Sequence, residues 1–528
     1  MRQSALCVAA ARPDAGAPAP ENRPVTVVAV AFVVLAIAAI WMRVPYVPAP
    51  SGGDEVWWGE GAYWLLKEGK LRWDWMANPQ GMDILTFWPP TVALFQAGFF
   101  WLLGLNEFSL CATSAAACTA LILLTASSAR RQGASVALSC ALGLLPFALF
   151  SVERRFMQVR MEPWVAVFAI ASLNLLDDAV TRVGQAATWA AFLSGACAGI
   201  AALSYYPLAP FVACGLAASA VFALIGSGTE KSWRRPVAFG LGAGLIGCLF
   251  VVWISQDLSL FARQILGGEG ASYVNPIGRS GVLWRALCHP GSLGSIMAFE
   301  TVGSFLLGIA AFLWAPGRVR PYGLATAITA LAFGVYSLTD RMAPVGALAA
   351  STAAAWLGAD ATRLSAWALG SVACLSGFGF ARVVLVAVTG FVQAEGRTYA
   401  KAAEWLRGIV GEQAPVMTDN VGWLALREHR GPGQMIHLNR SFDFSHAFRS
   451  TAQRTAEGIR RFRYYVVGER AEDGPFRFAA SPALEKGVAD GWIVERARFR
   501  LLWRALPWAA REPYGIMVLE NMSFAGRQ

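Results

Sequence analysis

Two adjacent carboxylates, Asp54 and Glu55, are the strongest chemical signal in this chain of 528 residues. They follow the apolar stretch from Val25 to Met42, which is 18 residues long and carries no charge. A helix rises 1.5 Å per residue and the hydrocarbon core is about 30 Å thick, so this stretch can cross a bilayer. The carboxylates should therefore emerge at the far membrane surface, where they could accept a proton.

A group of arginines is predicted on the same membrane surface. Arg154, Arg155 and Arg160 precede Glu162 in the segment SVERRFMQVRMEPW, and Arg341 lies in the later segment LTDRMAP. Arginines on the outer side of a membrane break the usual orientation of charge. Guanidinium groups bind phosphate through paired hydrogen bonds, so an anionic ligand such as a lipid phosphate would explain their position.

Each of these features also has a purely structural interpretation. Asp54 could cap a helix that begins at Glu55. The arginines could pair with Glu153 and Glu162 in a solvated cluster or hold lipid headgroups nonspecifically, and Arg341 could be a snorkelling anchor. The convergence of acidic and basic groups on one membrane face favours the chemical interpretation.

The segment around the two carboxylates is unusually rich in tryptophan. Its tryptophans are Trp57, Trp58, Trp64, Trp73, Trp75 and Trp88. An aromatic belt at the membrane interface is the simplest explanation for most of them. Alternatively, some of these rings stack on a sugar or on an isoprenoid chain, and spacing alone does not decide between the two interpretations.

The elements that must position these residues are membrane-spanning helices. Hydrophobic residues make up 56% of the chain and charged residues 15%, and the mean hydropathy is +0.46. This composition excludes a soluble fold of this size and predicts a polytopic membrane protein. The predicted spans are eleven, near residues 25–42, 108–129, 134–152, 163–179, 186–204, 208–226, 237–256, 298–315, 322–338, 343–358 and 364–390.

Basic residues orient these spans. With eleven spans, loop residues such as Arg130, Arg131 and Arg318 fall on one side, which the positive-inside rule identifies as the cytoplasm. Much of the net charge of +10 therefore reflects topology and not nucleic-acid binding. The apolar run from Pro89 to Leu105 would invert every later loop if it crossed, so we expect a short helix along or dipping into the outer leaflet.

The chain divides into three predicted parts. Residues 1–24 form a disordered cytoplasmic tail, residues 25–390 form the transmembrane domain with a first outer loop at 43–107, and residues 391–528 lie outside the cytoplasm. The last part alternates helical stretches with short apolar runs. The helical stretches are Tyr399 to Val410, one after Asp419 and Ala452 to Arg461, and the apolar runs are APVMTD, QMIHL, RYYVVG and GIMVLE. This alternation predicts a small soluble α/β domain.

Short motifs in a fixed order connect the chain to a known family. They are Asp54-Glu55, the Pro89-Pro90 helix, NEFS at Asn106 to Ser109, VRMEP at Val159 to Pro163 and DRMAP at Asp340 to Pro344. In this order and membrane sidedness, the chain resembles the polyprenyl-phosphate-sugar-dependent membrane glycosyltransferases. That group contains the dolichyl-phosphate-mannose protein mannosyltransferases, the aminoarabinose transferases that modify lipid A and the rhizobial lipopolysaccharide galacturonosyltransferases.

The resemblance covers roughly residues 25 to 360 and implies the type-C glycosyltransferase fold. That fold would be an all-α polytopic membrane protein with about 11 transmembrane helices and interfacial helices, followed here by the soluble α/β domain. One departure is visible. Relatives commonly carry an arginine shortly after the glutamate of the NEFS segment, where this chain has Leu110 and Cys111.

The resemblance implies an inverting sugar transfer from a polyprenyl-phosphate donor to an envelope acceptor. Asp54 would be the catalytic base for the acceptor hydroxyl, supported by Glu55. Arg160 and Arg341 would stabilise the departing phosphate. The other expected substrate-binding residues are Arg155, Glu162, Trp57 and Trp58. No cofactor is required, and a divalent metal stays open because some relatives with this fold use one.

The implied partners are the lipid-linked donor, the bilayer and an acceptor that is lipopolysaccharide, another glycolipid, a polysaccharide or a protein, with no role for nucleic acid. The implied location is the bacterial inner membrane, with the active site and the C-terminal domain in the periplasm.

A transporter or flippase of an anionic lipid-linked substrate is the main alternative, and an assembly factor is another. Transporters usually place ionisable groups or broken helices near the midplane. The predicted spans are almost free of charge, and Glu300, near the end of one, has no evident partner.

Overall fold

The computed structural model of the protein describes most of the chain. The described residues are 23–44, 53–72, 90–152, 160–204, 209–226, 233–255, 258–259, 261–262, 293–336, 342–392, 399–418, 420–430, 434–437, 459–470, 482–500 and 514–524.

Each of the eleven predicted spans is matched by a helix. These helices are α1 Arg23–Arg43, α4 Glu107–Arg131, α5 Val136–Gly143, α6 Glu162–Thr181, α7 Gly184–Ser204, α8 Ala209–Gly226, α9 Arg234–Ile254, α10 Leu293–Trp314, α11 Arg320–Tyr336, α12 Ala343–Ala359 and α13 Ala366–Val392. Two further helices precede α4 in the chain, α2 Gly53–Glu68 and α3 Thr91–Leu103. Within the described residues, seven helices are long and apolar enough to span a membrane, so the protein is a multi-pass membrane protein.

Small residues let neighbouring helices of the bundle approach closely. A Cβ placed on Gly195 of α7 would lie 1.9 Å from the carbonyl oxygen of Phe239 in α9, and one on Gly242 would lie 2.0 Å from that of Phe192. No side chain fits at such distances. Helices in lipid associate mainly through close packing, and glycine at both contact points permits it here.

Buried polar contacts between α4 and α6 show that these two helices run in the same direction. Ser128 donates to Asn174 Oδ1 at 2.8 Å, and Tyr322 of α11 donates to the same oxygen at 2.7 Å. One turn further along both helices, Arg131 pairs with Asp178. Because residue numbers rise together along the contact, α4 and α6 are parallel, and both begin at the same end of the bundle.

A mixed sheet follows the helical bundle in the chain. Its strands are β1 Val416–Thr418, β2 Met435–His437, β3 Tyr464–Arg470, β4 Ile493–Arg500 and β5 Tyr514–Asn521. The strand order is β2-β1-β3-β5-β4, with β1 parallel to β2 and β3, and β5 antiparallel to β3 and β4. The accompanying helices are α14 Tyr399–Val410, α15 Asn420–Leu426 and α16 Pro482–Ala489. The predicted α/β alternation is confirmed, and the helix predicted after Asp419 is α15. Strand β4 and helix α16 were not predicted, and the helix predicted at Ala452 to Arg461 lies mostly outside the described residues.

Candidate functional site

The two candidate catalytic carboxylates lie at the start of α2. This helix begins at Gly53, so Asp54 stands inside the first turn and not at an N-cap before Glu55. Acidic residues are favoured there because the positive end of the helix dipole attracts them. For Asp54, Glu55 and Trp57 the structure describes only the backbone, and the roles assigned to their side chains stay predictions.

Arg160 and Glu162 form a buried ion pair at the start of α6. The guanidinium contacts both carboxylate oxygens, from Nε to Oε2 at 3.2 Å and from Nη2 to Oε1 at 3.2 Å. The exposed fraction of the side chain is 13% for Arg160 and 0% for Glu162. One hydrogen bond and one ion-pair contact together restrain the orientation of the guanidinium. The pairing with Glu162 therefore exists, but it is buried and not part of a solvated cluster.

Helix α3 connects the two candidate groups. It packs directly against α2, and its Phe95 ring stacks on Trp164 of α6 with centroids 4.4 Å apart and planes 11° apart. Gln96 donates a buried hydrogen bond to the carbonyl of Ser109 at 2.9 Å, which ties α3 to α4. The helix that carries Asp54 and the helix that begins beside Arg160 are thus packed on the same intermediate element.

The sequence predicted a short helix along or dipping into the outer leaflet within Pro89 to Leu105, and the structure has α3 there, with one face buried against protein. Its buried residues are Val92, Ala93, Gln96, Ala97 and Phe100. Trp101 on the other side is 75% exposed, as expected of a residue that faces lipid or the interface. The helix is confirmed, and its orientation in the membrane stays a prediction.

The NEFS motif starts α4 with a capping box. The side-chain oxygen of Asn106 accepts from the backbone N–H of Ser109 at 2.8 Å, and Ser109 Oγ accepts from the backbone N–H of Asn106 at 3.1 Å. These bonds satisfy donors that a helix start leaves open. Leu110, where relatives commonly carry arginine, is buried and lies close to Gly59 of α2. Packing therefore replaces the expected polar contact.

A second buried ion pair, which the sequence analysis did not single out, lies further along α2. Glu60 Oε1 accepts from Arg427 at 2.8 Å and from Trp64 at 2.6 Å, and Glu60 Oε2 accepts from Trp423 at 2.5 Å. The side chains of Glu60 and Arg427 are both fully buried. The only signal in the sequence is the placement of Glu60, Tyr63 and Trp64 at helical spacing on one face of α2.

Aromatic rings complete this second cluster. The Arg427 guanidinium lies 5.6 Å from the ring centroid of Tyr63 and 5.0 Å from that of Trp64, within the range of cation–π attraction. Burial raises the pKa of the Tyr63 phenol, and the positive charge of Arg427 acts in the opposite direction. The cluster joins α2 to the segment that follows β1.

Three of the remaining candidate residues have different outcomes. Trp58 is 1% exposed and packs in the main hydrophobic core, so it supports α2 from inside. Arg155 and Arg341 lie outside the described residues. In the part of the chain that is described, no group of three His, Cys, Asp or Glu side chains could hold a metal ion.

The expectation that Glu300 has no partner was wrong. Its carboxylate accepts from the backbone N–H groups of Phe150 at 2.6 Å and Ser151 at 3.0 Å. Arg382 of α13 donates to the carbonyls of Phe147 and Ala148 at 3.4 and 3.3 Å. These two charged side chains lie within predicted spans. They form hydrogen bonds with backbone N–H and C=O groups in and just after the 3-10 turn at Leu145–Ala148, which follows α5.

Comparison with solved structures shows which proteins share this architecture. The chain is similar to ArnT from Cupriavidus metallidurans bound to undecaprenyl phosphate, with a TM-score of 0.57, 15% identity, and coverage of 95% of this chain and 100% of ArnT. It is also similar to the arabinofuranosyltransferase AftD from Mycobacteria, with a TM-score of 0.53, 13% identity, and coverage of 94% of this chain and 40% of AftD. No protein-family model and no curated protein sequence matches the chain.

At these identities the likeness establishes the fold. The protein has the type-C glycosyltransferase fold predicted from the sequence, a polytopic helical membrane protein followed by a small α/β domain.

Proposed function

We propose that the protein is an inverting glycosyltransferase that moves a sugar from a polyprenyl phosphate to a cell-envelope acceptor on the periplasmic face of the bacterial inner membrane. The observation that carries this proposal is the packing of α2, which bears Asp54 and Glu55, and of α6, which begins beside Arg160, on the same helix α3. The similarity of fold to a protein bound to undecaprenyl phosphate supports a lipid-linked donor.

The proposed chemistry needs one base and one cationic site. The acceptor hydroxyl loses its proton as its oxygen attacks the anomeric carbon, and Asp54 takes that proton, with Glu55 supporting it. The bond from the anomeric carbon to the phosphate oxygen breaks, and negative charge gathers on the lipid phosphate. Fixed cations at that position lower the barrier. A single displacement inverts the anomeric centre, unlike the two-step route through a carboxylate nucleophile.

Within this proposal the Arg160–Glu162 pair provides a cation whose orientation is fixed before substrate binds. Glu162 is fully buried and holds the guanidinium from one side through two oxygens. A cation that is already oriented needs little reorganisation when phosphate charge develops. Arg155, Arg341 and Trp57 are proposed to contact the phosphate or sugar, whereas Trp58 is buried in the core and is not assigned that role.

A transporter or flippase is the second candidate function, because charged residues and a broken helix occur within the predicted spans. Glu300 and Arg382 are the charges concerned, and both contact backbone groups of one interrupted segment. Their bonds explain why this segment is stable in the bundle without any role in a transport path. The glycosyltransferase proposal is therefore favoured.

The experiment that tests the proposal compares cells with wild-type protein, with Asp54→Asn and with the gene deleted. We expect accumulated lipid-linked sugar and an underglycosylated acceptor in both altered strains, measured by mass spectrometry of lipids and envelope glycans. The Asn variant keeps Glu60 and the rest of α2, so we expect it to fold normally. Its abundance in the membrane, compared with that of wild type, is the control for folding. Normal glycans in a normally abundant Asn variant would remove Asp54 from the catalytic role.

A further inference from the structure

Buried polar contacts hold the α/β region against α2. The residues that contact Glu60 come from the segment after β1: Trp423 belongs to α15, and Arg427 begins the 3-10 turn that follows it. The partners are 363 and 367 residues away from Glu60 in the chain. The contact is therefore a tertiary one that exists only when the α/β region is docked.

Removing two charges from water costs free energy that a neutral contact would not require. Excellent geometry offsets part of this cost, and here Glu60 receives three hydrogen bonds from Arg427, Trp64 and Trp423. A buried pair of this kind contributes less to stability than to the choice of one relative position over others. Slippage of α2 by one residue would remove the carboxylate from its two donors in the α/β region, Arg427 and Trp423.

Two close contacts beside the ion pair restrict α2 further. A Cβ on Gly59 would lie 2.8 Å from Cη2 of Trp423 and 3.2 Å from Cδ1 of Leu110 in α4, so the indole lies directly against the helix backbone. At the start of α14, the backbone N–H of Tyr399 donates to the side-chain carboxyl group of Glu107, the first residue of α4. The α/β region thus contacts both α2 and α4.

The position of Glu60 determines the position of the candidate catalytic residues because all belong to one helix. Glu60 follows Asp54 by six residues in α2, a distance of about 9 Å along the axis. A rotation or shift of α2 at Glu60 is therefore transmitted to Asp54 and Glu55.

We infer that Glu60, Trp423 and Arg427 are positioning residues through which the α/β region fixes the rotation and depth of α2. This inference rests on the proposed function, since it assigns α2 the catalytic base. It gives the α/β region a role in positioning the catalytic base. Displacing a reacting group by about 1 Å can lower a rate about 100-fold.

The test uses the full chain with a protease site introduced within residues 393–398, between α13 and α14. After cleavage of wild-type protein in detergent, we expect the 399–528 fragment to co-elute with the membrane part and turnover to persist. For Arg427→Met we expect release of the fragment, and a fall in kcat of about 10- to 100-fold with the donor KM changed less than about twofold. Arg427→Lys should recover part of kcat.

Arg463→Met is the matched control, because Arg463 lies in the same region and forms an ion pair with Glu520 while its side chain is 43% exposed. We expect it to behave as wild type. Arg427→Met alone leaves Glu60 as a buried charge without Arg427, which should lower the yield of folded protein. The double variant Glu60→Gln/Arg427→Met removes both charges, so its folded yield should exceed that of Arg427→Met, while its kcat stays at least about tenfold below wild type.

Wild-type kcat and retained fragment in Arg427→Met or in the double variant would overturn the inference, as would a change confined to the donor KM. If wild-type protein shows no sugar transfer but Arg427→Met still releases the fragment, the docking contact stands and the proposed function fails.

Discussion

At the scale of single residues, two fully buried glutamates among the described residues each pair with an arginine. Glu162 pairs with Arg160, and Glu60 pairs with Arg427. A buried charge without a partner is costly, so each pair has to be assembled as a unit. The two pairs occur at the first turn of α6 and in the middle of α2, and both of these helices contact α3.

Removing the charge of Glu162 should be more damaging than removing that of an exposed glutamate. Glu162→Gln leaves the mostly buried Arg160 without its counter-charge, and we expect a loss of about 3 kcal/mol in stability together with weaker donor binding. Thermal unfolding in detergent and donor binding would be measured. Glu495→Gln is the control, since its partner Arg498 is on the surface of the sheet and such pairs contribute about 0 to 1 kcal/mol. Equal losses in the two variants would contradict this account.

Sequence reasoning at this scale found one of the two pairs. Arg160 and Glu162 are two residues apart in a charged motif, so their proximity could be expected. Arg427 and Glu60 are separated by 367 residues, and no local pattern connects them. Only the docking of α15 on α2 brings them together.

At the scale of elements, hydropathy predicted where helices occur but not how they are interrupted. The apolar run 134–152 was predicted as one span, whereas the chain forms α5, then a 3-10 turn, and extends at Leu149. The cause lies outside residues 134–152. Where the helix is interrupted, backbone N–H and C=O groups lose their helical partners, and Glu300 and Arg382 on other helices form hydrogen bonds with them. Strand β4 was missed for a different reason. It is an edge strand, and its charged residues, including Arg496 and Arg498, make the apolar pattern typical of a strand hard to recognise in the sequence.

The carboxylate of Glu300 should be essential for this interruption. Glu300→Leu leaves the N–H groups of Phe150 and Ser151 without their acceptor, and each buried unsatisfied donor costs about 1 to 3 kcal/mol. We expect a loss of about 2 to 4 kcal/mol, seen as a lower unfolding temperature in detergent. Ser304→Ala one turn along α10 is the matched control, because Ser304 Oγ donates only to the carbonyl of Glu300. A Leu variant as stable as the Ala control would refute the role of the carboxylate.

At the scale of the whole molecule, polar clusters at the two ends of the bundle have different partners. At one end, Arg318 pairs with Asp177 at 2.7 Å and Arg131 pairs with Asp178. At the other end, where α4 and α6 begin, Glu107 contacts the start of α14. The basic loops that predict the cytoplasmic side therefore lie at the end of α4 opposite to this contact with the α/β region.

This arrangement predicts that the C-terminus is periplasmic. A reporter enzyme that becomes active only after export, fused after Gln528, should be active, and the same reporter fused after Arg131 should be inactive. Membrane abundance of both fusions is the control. Activity of the Arg131 fusion together with inactivity of the C-terminal one would reverse the predicted orientation and place α2 on the wrong side for a periplasmic acceptor.

The central claim is that a carboxylate on α2 acts as base in sugar transfer, and the most direct test is the turnover of purified protein with a polyprenyl-phosphate-linked sugar. A positioned base contributes about 10² to 10⁴ in rate, so we expect kcat of Asp54→Asn to fall by that factor while the donor stays bound. Asp490→Asn, at an exposed position after α16, should turn over as wild type. An Asp54→Asn protein that transfers sugar at the wild-type rate would contradict the account.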